Sequence, residues 1–305
     1  MSKLPHRLTC MALLMLMTAL CHATAQDTTT FRHDCWLADV CDTARIADLF
    51  IPGTHDSCTG GKRKALAFAW QTQEYDIKTQ LEAGVRFLDV RLNGNMHTAH
   101  GRAEFDETFG DVMNDVCDFL DSHPTEFVIC LIKQEDRDLS AGDTDFQIKI
   151  SDIINTWQIH DKTYHGSLHD MRLHDVRGKI IFLNRSFSDV KNKVETWHGH
   201  DYEVINDIIC VQDNYKAGIK RKMTLVEQFY DKYDRRDIIG INFNTIPGTG
   251  LIPNPRKAAK TLNRHLSELI DRKGRTMRGI IVLDFGENLY DKIIECNFRD
   301  RLGIE

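Results

Sequence analysis

Two histidines and one arginine come directly after apolar stretches of this 305-residue chain. His55 follows the stretch that ends at Ile51, Arg91 ends the stretch that begins at Val85, and His100 ends the next extended segment. Two imidazoles can act as general base and general acid in one proton-coupled displacement, and a guanidinium between them can bind a phosphate with two hydrogen bonds. These residue types favour in-line attack of a hydroxyl group on a phosphodiester.

Carboxylates follow the same apolar stretches. Asp56 is next to His55, Asp89 precedes Arg91 by two residues, and Asp284 follows the last apolar stretch. Residues two apart on a strand point to one face, so Asp89 and Arg91 should face the same interior. Carboxylates orient imidazoles and raise their basicity. Because Arg91 brings its own positive charge to the phosphate, we predict chemistry without a metal or another cofactor.

The order of the apolar stretches shows which elements must position these side chains. Continuous apolar strands alternate with amphipathic helices, which predicts parallel β/α units. For one domain of this length a (β/α)8-type TIM barrel is the economical fold, since its strand ends meet at one mouth. A doubly wound open sheet is the alternative, but no glycine-rich dinucleotide loop follows the first strand.

Boundaries follow from hydrophobic periodicity and from turn and capping residues. The predicted strands are 47–51, stopped by Pro52, and 85–92, 127–132, 180–183, 208–211, 238–243 and 280–283. The predicted helices are 77–83, 112–120, 146–157, 225–233 with Thr224 as N-cap, 256–272 ended by Gly274, and 290–298.

The first 25 residues have the pattern of a secretory signal peptide. Lys3 and Arg7 precede an apolar run over 11–20, and the small residues 23–25 form a cleavage site of the A-x-A kind. An uncleaved N-terminal anchor is the alternative. Cleavage removes two cations and leaves residues 26–305 with 37 basic and 45 acidic side chains, a net charge of -8. We therefore expect a secreted or periplasmic protein whose single domain is 26–305.

The composition excludes several classes of protein. A hydrophobic fraction of 42% is too high for a disordered chain, and a net charge of -6 argues against a nucleic-acid binder. Nine cysteines are too few for a disulfide scaffold. Cys35 and Cys41 are near enough in sequence to predict a disulfide, whereas Cys117 and Cys130 lie on apolar stretches that predict buried thiols.

Several short motifs occur in an order that points to one family. They are 51–57 (IPGTHDS), 73–76 (QEYD), 84–91 (GVRFLDVR), 100–101 (HG), 177–180 (RGKI), 211–215 (VQDNY) and 241–243 (INF). On these motifs the chain resembles bacterial phosphatidylinositol-specific phospholipase C from about residue 45 to residue 295. The resemblance implies a distorted, incompletely closed TIM barrel. It also implies cleavage of phosphatidylinositol into diacylglycerol and inositol 1,2-cyclic phosphate.

The resemblance implies a catalytic role for six residues. His55 matches the general base that takes the proton of the inositol 2-hydroxyl, and Asp284 matches the carboxylate that orients it. Arg91 matches the guanidinium on the phosphate. His100 matches the general acid for the leaving diacylglycerol, with Asp56 as its partner. The sixth, Asp89, matches the acid beside the arginine.

Four further residues match the family's inositol-binding positions. Lys133, Arg185 and Asp213 match residues that hydrogen-bond inositol hydroxyls, and Tyr215 matches the ring that stacks on the sugar. His97, three residues before His100, is the alternative general acid, because the family pattern has adjacent histidines before the glycine.

The resemblance implies phosphatidylinositol in membranes as the substrate, with GPI-anchored proteins as a second one. We expect a monomer that contacts the membrane peripherally. Two segments are candidates for that contact, the basic and apolar stretch 62–70 and the loop 246–253, although the first also fits an ordinary amphipathic helix.

Two other functions compete with this interpretation. A metal-dependent glycerophosphodiesterase would need acidic ligands in place of Arg91. A catalytically silent inositol- or glycan-binding surface protein would be favoured by the loss of either histidine, but both are present.

Overall fold

Strands and helices alternate through the computed structural model, which describes residues 32–61, 67–101, 103–135, 144–185, 203–248 and 253–298. The strands are β1 (Phe50–Thr54), β2 (Phe87–Leu92), β3 (His97–His100), β4 (Ala103–Thr108), β5 (Val128–Gln134), β6 (Ile180–Asn184), β7 (Glu203–Ile205), β8 (Ile209–Gln212), β9 (Ile239–Phe243) and β10 (Gly279–Leu283). The helices are α1 (Ala67–Trp70), α2 (Ile77–Glu82), α3 (Phe109–Ser122), α4 (Thr144–Ile154), α5 (Trp157–Lys162), α6 (Leu173–Val176), α7 (Ile219–Lys232), α8 (Pro255–Lys273) and α9 (Tyr290–Glu295).

Seven parallel strands make the wall of the barrel, in the order β6, β5, β2, β1, β10, β9 and β8. The short strand β7 adds to β8 in the antiparallel direction. Among the described strands β6 pairs with β5 alone, so the ring stays open between β6 and β7. This confirms the predicted distorted, incompletely closed TIM barrel.

The hairpin of β3 and β4 extends the mouth of the barrel. The sequence predicts only an extended segment here, but β3 pairs with the end of β2 through Leu92 and Thr98 and with β4 along its other edge. The side-chain oxygen of Asn93 accepts from the backbone N–H groups of Asn95 and His97 and so shapes the turn into β3. His100 therefore reaches the mouth on a hairpin rather than on a barrel strand.

The strand interiors are apolar and buried, as continuous parallel strands require. Gly53 in β1 allows β2 to approach closely, because a Cβ atom there would lie 2.9 Å from Cδ1 of Phe87. Predicted helix 77–83 and predicted strands 180–183 and 238–243 agree with the structure to within one residue at each end.

The first strand begins later than its apolar pattern predicts. Residues Ile46–Asp48 form a 3-10 turn, and β1 starts at Phe50, where pairing with β10 begins. Pro52 lies inside the strand instead of stopping it. The carbonyl of Pro52 faces β2 and accepts from the N–H of Arg86. Pairing between β1 and β2 starts only at Gly53, so no hydrogen bond of the sheet is lost because proline has no N–H.

Three local predictions are wrong. Helix α7 starts at Ile219 after the N-cap Gly218, because its basic first turn hides the helical pattern, and Thr224 lies inside the helix and donates to the carbonyl of Lys220. Trp157 begins the separate helix α5 instead of ending α4. Cys35 and Cys41 are not joined in the predicted disulfide.

Cys117 and Cys130 are buried as predicted. Burial raises the pKa of the Cys117 thiol to about 11 and raises that of Cys130 further from its usual range. Both therefore stay protonated and pack as small apolar side chains.

No helix in the described ranges is long and apolar enough to cross a membrane. The predicted signal peptide lies outside the described residues, as do 62–66 and 249–252 of the two candidate membrane segments.

Candidate active site

A cavity of about 300 Å³ opens at the carboxyl ends of the barrel strands. Eight of the ten predicted site residues line it: His55, Arg91, His100, Lys133, Arg185, Asp213, Tyr215 and Asp284. Asp56 and Asp89 lie directly behind this wall and are buried. The barrel thus brings together all ten residues.

The imidazole of His55 is held between Asp284 and Arg91. Its Nδ1 lies 2.8 Å from Oδ1 of Asp284, and its Nε2 lies 2.7 Å from Nη2 of Arg91. A guanidinium cannot accept a hydrogen bond, so Nε2 is the acceptor and the proton sits on Nδ1, which donates to Asp284. His55 is therefore neutral, with the lone pair of Nε2 beside the arginine.

The electrostatics of this pair support a neutral histidine. Burial, together with the nearby guanidinium of Arg91, holds the pKa of His55 well below its usual range. Burial, together with the Asp56 carboxylate, raises the pKa of Asp284 and makes it a strong acceptor for Nδ1–H. A neutral, oriented imidazole is the form that a general base requires.

Arg91 is surrounded by acceptors. Its Nε lies 3.0 Å from Oδ1 of Asp56, its Nη2 lies 3.0 Å from Oδ2 of Asp89, and its Nη1 lies 3.4 Å from Oε1 of Glu135. Burial disfavours the charge, but these carboxylates outweigh it and raise the pKa of Arg91 well above its usual value. The guanidinium stays charged at the cavity wall.

The pKa of His100 shifts in the opposite direction from the pKa of His55. Its Nδ1 lies 2.8 Å from Oδ2 of Asp56. Burial lowers the pKa of His100, but the Asp56 carboxylate outweighs burial and raises it. The ring centroids of the two histidines are 6.5 Å apart, with the Arg91 guanidinium beside them. His97, by contrast, is bonded at Nδ1 to the carbonyl of Phe105, so His100 is the histidine at the cavity.

The loop after β1 is built to hold both His55 and Asp56. Asp56 adopts a left-handed conformation with φ 45°, which turns the chain sharply between them and Ser57. The hydroxyl of Ser57 donates to the carbonyl of Thr54 and accepts from the N–H of Asp89. This tight turn is hydrogen-bonded to β2, the strand that carries Arg91.

Ion pairs line the part of the cavity formed by Lys133, Arg185, Asp213 and Tyr215, which we call the far side. Nη2 of Arg185 lies 2.6 Å from Oδ2 of Asp213, and the arginine is 2% exposed. Nζ of Lys133 donates to Oε2 of Glu135 at 2.7 Å, and burial lowers the lysine's pKa. Charged donors and acceptors alternate here, as recognition of a polyhydroxyl ring requires. Tyr215 completes this side of the cavity.

Two charged residues at the site were not predicted from the sequence. Glu135 bridges Arg91 and Lys133, and those cations lower its pKa to about 2, against burial. The signal was present, because residues two apart share a strand face and Glu135 follows Lys133 by two. Lys222 donates to Gln212, which also accepts from the N–H of Asn214 and so steadies the turn with Asp213. Burial lowers the pKa of Lys222 to about 8.

Within the described residues no group of three or more His, Cys, Asp or Glu side chains is arranged to hold a metal ion. Two exposed histidines away from the cavity pair with single carboxylates, His169 with Asp237 and His174 with Asp175.

With this geometry established, comparison with known families identifies part of the chain. The family model described as PI-PLC X 1 matches residues 40–157. The matched segment carries both cavity histidines and Arg91, whereas Arg185, Asp213, Tyr215 and Asp284 come from the rest of the barrel.

Curated relatives extend the similarity over most of the chain. A Listeria monocytogenes protein named 1-phosphatidylinositol phosphodiesterase is 29% identical over 269 residues, which is 83% of this chain and 81% of the relative. A Staphylococcus aureus protein of the same name is 23% identical over 318 residues, 93% of this chain and 96% of the relative.

Solved structures agree with the fold. The phosphatidylinositol-specific phospholipase C from Listeria monocytogenes superimposes with a TM-score of 0.72 at 26% identity, over 87% of this chain and 98% of that one. A Staphylococcus aureus phosphatidylinositol-specific phospholipase C superimposes with a TM-score of 0.74 at 22% identity, over the same shares of the two chains. The predicted family resemblance is therefore confirmed.

Proposed function

We propose that this protein is a phosphatidylinositol-specific phospholipase C that cleaves phosphatidylinositol into diacylglycerol and inositol 1,2-cyclic phosphate. The observation that carries the proposal is that both histidines are joined to one arginine: Nε2 of His55 lies 2.7 Å from Arg91, and Nδ1 of His100 lies 2.8 Å from Asp56, which also pairs with Arg91. The relatives named 1-phosphatidylinositol phosphodiesterase support the substrate.

The first half of the reaction uses the neutral histidine. A phosphate in the cavity is a better acceptor for Arg91 than an imidazole is, so binding of the lipid releases Nε2 of His55. Nε2 then takes the proton of the inositol 2-hydroxyl as that oxygen attacks phosphorus. Asp284 stabilises the imidazolium that forms, and Arg91 stabilises the charge on the phosphate oxygens. Nucleophile and phosphate belong to one molecule, so no second reactant has to be ordered.

The second half uses the protonated histidine. As the bond from phosphorus to the glycerol oxygen breaks, His100 gives its proton to that oxygen and diacylglycerol leaves. Asp56 lies between His100 and Arg91 and keeps the imidazole charged before the step. Asp89 also accepts a hydrogen bond from Nε of Arg91 and helps to hold the guanidinium. The proton removed from inositol and the proton given to glycerol balance over one turnover.

The inositol ring is assigned to the far side of the cavity. Lys133, Arg185 and Asp213 offer donors and acceptors to its hydroxyls, and Tyr215 offers a ring face. On the other side Ile246 and three prolines line the cavity, at positions 247, 253 and 255. This apolar side suits the glycerol and acyl groups of a lipid that stays in its membrane.

We propose that the protein acts as a monomer from the water side of a membrane. It is secreted or periplasmic after removal of residues 1–25. GPI-anchored proteins are further substrates, since the same inositol phosphodiester occurs in their anchors. Release of such a protein from vesicles separates this activity from cleavage of the free lipid.

We propose that the reaction needs no metal, because Arg91 already supplies the charge that a cation would bring to the phosphate. Dialysis against EDTA should leave turnover within about twofold of the untreated enzyme. Loss of activity that calcium restores would instead support the metal-dependent phosphodiesterase. A silent inositol-binding protein would show no turnover in either buffer.

Phosphorus NMR of phosphatidylinositol vesicles treated with the protein tests the main proposal. We expect the resonance of a cyclic phosphodiester to appear first. If inositol monophosphate alone appears from the start, water is the nucleophile and the intramolecular route is wrong.

A further inference from the structure

Two buried residues that are assigned no chemistry above join the strands that carry His55 and Asp284. The segment between α1 and α2 crosses the carboxyl ends of β1 and β10, and within it Thr72 and Gln73 are fully buried. We call residues 72–73 the strap. We propose that Thr72 and Gln73 are positioning residues that hold the His55–Asp284 pair at its working distance.

Gln73 bonds both strands with one amide group. Its Nε2 donates to the carbonyl of His55 and to the carbonyl of Leu283, each at 2.8 Å. Leu283 directly precedes Asp284, and its carbonyl also accepts from the N–H of His55 at 3.0 Å. The amide therefore fixes the backbone of one member of the pair relative to the backbone beside the other.

Thr72 repeats this bridge at the next position. Its hydroxyl donates to the carbonyl of His55 at 2.8 Å, and its own carbonyl accepts from the N–H of Phe285 at 2.8 Å. Phe285 directly follows Asp284. The strap thus contacts the chain on both sides of Asp284 and at His55 itself.

The sheet supplies only part of this restraint. Ladder pairing between β1 and β10 ends at Thr54 and Leu283, and its last backbone bond runs from the N–H of His55 to the carbonyl of Leu283, before Asp284 is reached. Beyond that point both chains turn through left-handed residues, Asp56 with φ 45° and Phe285 with φ 47°. Such conformations are unfavourable for residues with side chains and persist only when the surroundings hold them. The strap occupies the place where the ladder stops.

The expected effect follows from the sensitivity of proton transfer to position. A displacement of about 1 Å can lower a rate about 10²-fold, although the substrate still binds. Loss of the strap should therefore lower kcat and leave KM nearly unchanged. This kinetic expectation rests on the proposed function, so the experiment also needs a measurement that does not depend on turnover.

The chain offers a matched control for Gln73. Gln80 is also fully buried, and its Nε2 donates to two carbonyls, those of Ser57 and Tyr75, at 2.8 and 2.7 Å. Gln73→Met and Gln80→Met each remove two hydrogen bonds from a buried glutamine amide to backbone carbonyls. Only the first removes bonds to His55 and Leu283. Thr72→Val and Thr72→Ser form a second pair, in which serine keeps the hydroxyl.

The readouts are kcat and KM on phosphatidylinositol and the nitrogen-15 spectrum of the His55 imidazole, assigned by its absence in His55→Gln. We expect Gln73→Met and Thr72→Val to lower kcat about 10- to 100-fold with KM within about twofold, and to weaken the Nδ1–H resonance. Gln80→Met and Thr72→Ser should keep wild-type spectra and kcat.

Equal losses of kcat in Gln73→Met and Gln80→Met, or a wild-type His55 spectrum in both Gln73→Met and Thr72→Val, would overturn the positioning role. If Gln73→Met fails to fold, the threonine pair decides by the same criteria. If the wild type cleaves no phosphatidylinositol, the proposed function fails, and the spectra alone still test the strap.

Discussion

Arg86 and Arg91 lie at the two ends of β2, and the molecule uses them in opposite ways. Arg86 directly precedes the strand, at the end of the barrel away from the cavity, and its side chain is fully buried. Arg91 lies near the end of the strand, at the wall of the cavity. Only five positions separate two identical side chains, so the difference between them comes from their surroundings.

Every N–H of the Arg86 side chain points to an internal acceptor. Its Nε and Nη2 donate to Oε2 of Glu126 at 2.9 and 2.7 Å, and its remaining donors reach the carbonyls of Leu81, Val85 and Asp34. Burial lowers the pKa of Arg86, and Glu126 opposes this only in part. This is one cation with one carboxylate in a closed space.

Arg91 instead faces more negative charge than it neutralises. Three carboxylates surround it, and one of its donors is bonded to the neutral Nε2 of His55. The bond to His55 can be exchanged for one to an anionic ligand, because the cavity opens beside it. An arginine whose donors are all bonded inside the protein stabilises the fold, whereas an arginine with an exchangeable partner at a cavity is available to bind an anionic ligand.

The largest effect should come from His55, the exchangeable partner of Arg91. His55→Ala removes the proposed general base and should lower kcat by about 10²- to 10⁴-fold, as phospholipase kinetics would measure. Turnover close to wild type would show that another group takes the proton.

The next effect tests Arg91 directly. Arg91→Lys keeps the charge but loses the planar fork of donors, so kcat should fall by about 10²- to 10³-fold. Because Lys can still pair with the carboxylates, the free energy of unfolding should change by only about 1 kcal/mol. A large loss of stability with normal turnover would reverse the roles assigned to the two arginines.

At the other end of β2 the expectation is a loss of stability. Arg86→Met leaves the Glu126 carboxylate buried without its cation, which should cost about 3–5 kcal/mol in the free energy of unfolding. Urea denaturation measures this cost. Turnover per folded molecule should stay within about twofold of wild type. A specific loss of kcat in the folded fraction would contradict a purely structural role.

The smallest effect concerns pH. The proposed mechanism requires a neutral His55 and a protonated His100, so kcat/KM should rise as pH passes the lowered pKa of His55 and fall as it passes the raised pKa of His100. Asp56→Asn removes the carboxylate that raises the pKa of His100, so the alkaline limb should move to lower pH. Asp89→Asn, which leaves the Asp56–His100 pair in place, should keep the alkaline limb where it is in the wild type.

Local patterns predicted much of this protein because they report local physics. Apolar runs at strand spacing marked β2, β5, β6, β9 and β10, and the polar residues that follow them are those that line the cavity. The same method misplaced the start of β1, where a short apolar run formed a 3-10 turn, and the start of α7, where Lys220 and its basic neighbours hid the helix. Boundaries depend on pairing partners, which a local pattern does not contain.

The sequence by itself determined which imidazole, guanidinium and carboxylate groups lie at the mouth, and that a barrel brings them together. It could do so because residue type and spacing determine where strands lie and where they end. Only the tertiary structure decided that His100 rather than His97 reaches Asp56, that Glu135 joins Arg91, and that the strap joins His55 to Asp284. It also decided that the pKa of His55 is lowered and that the pKa of His100 is raised. A pKa depends on burial and on charges a few ångströms away, and those distances exist only after distant segments have packed together.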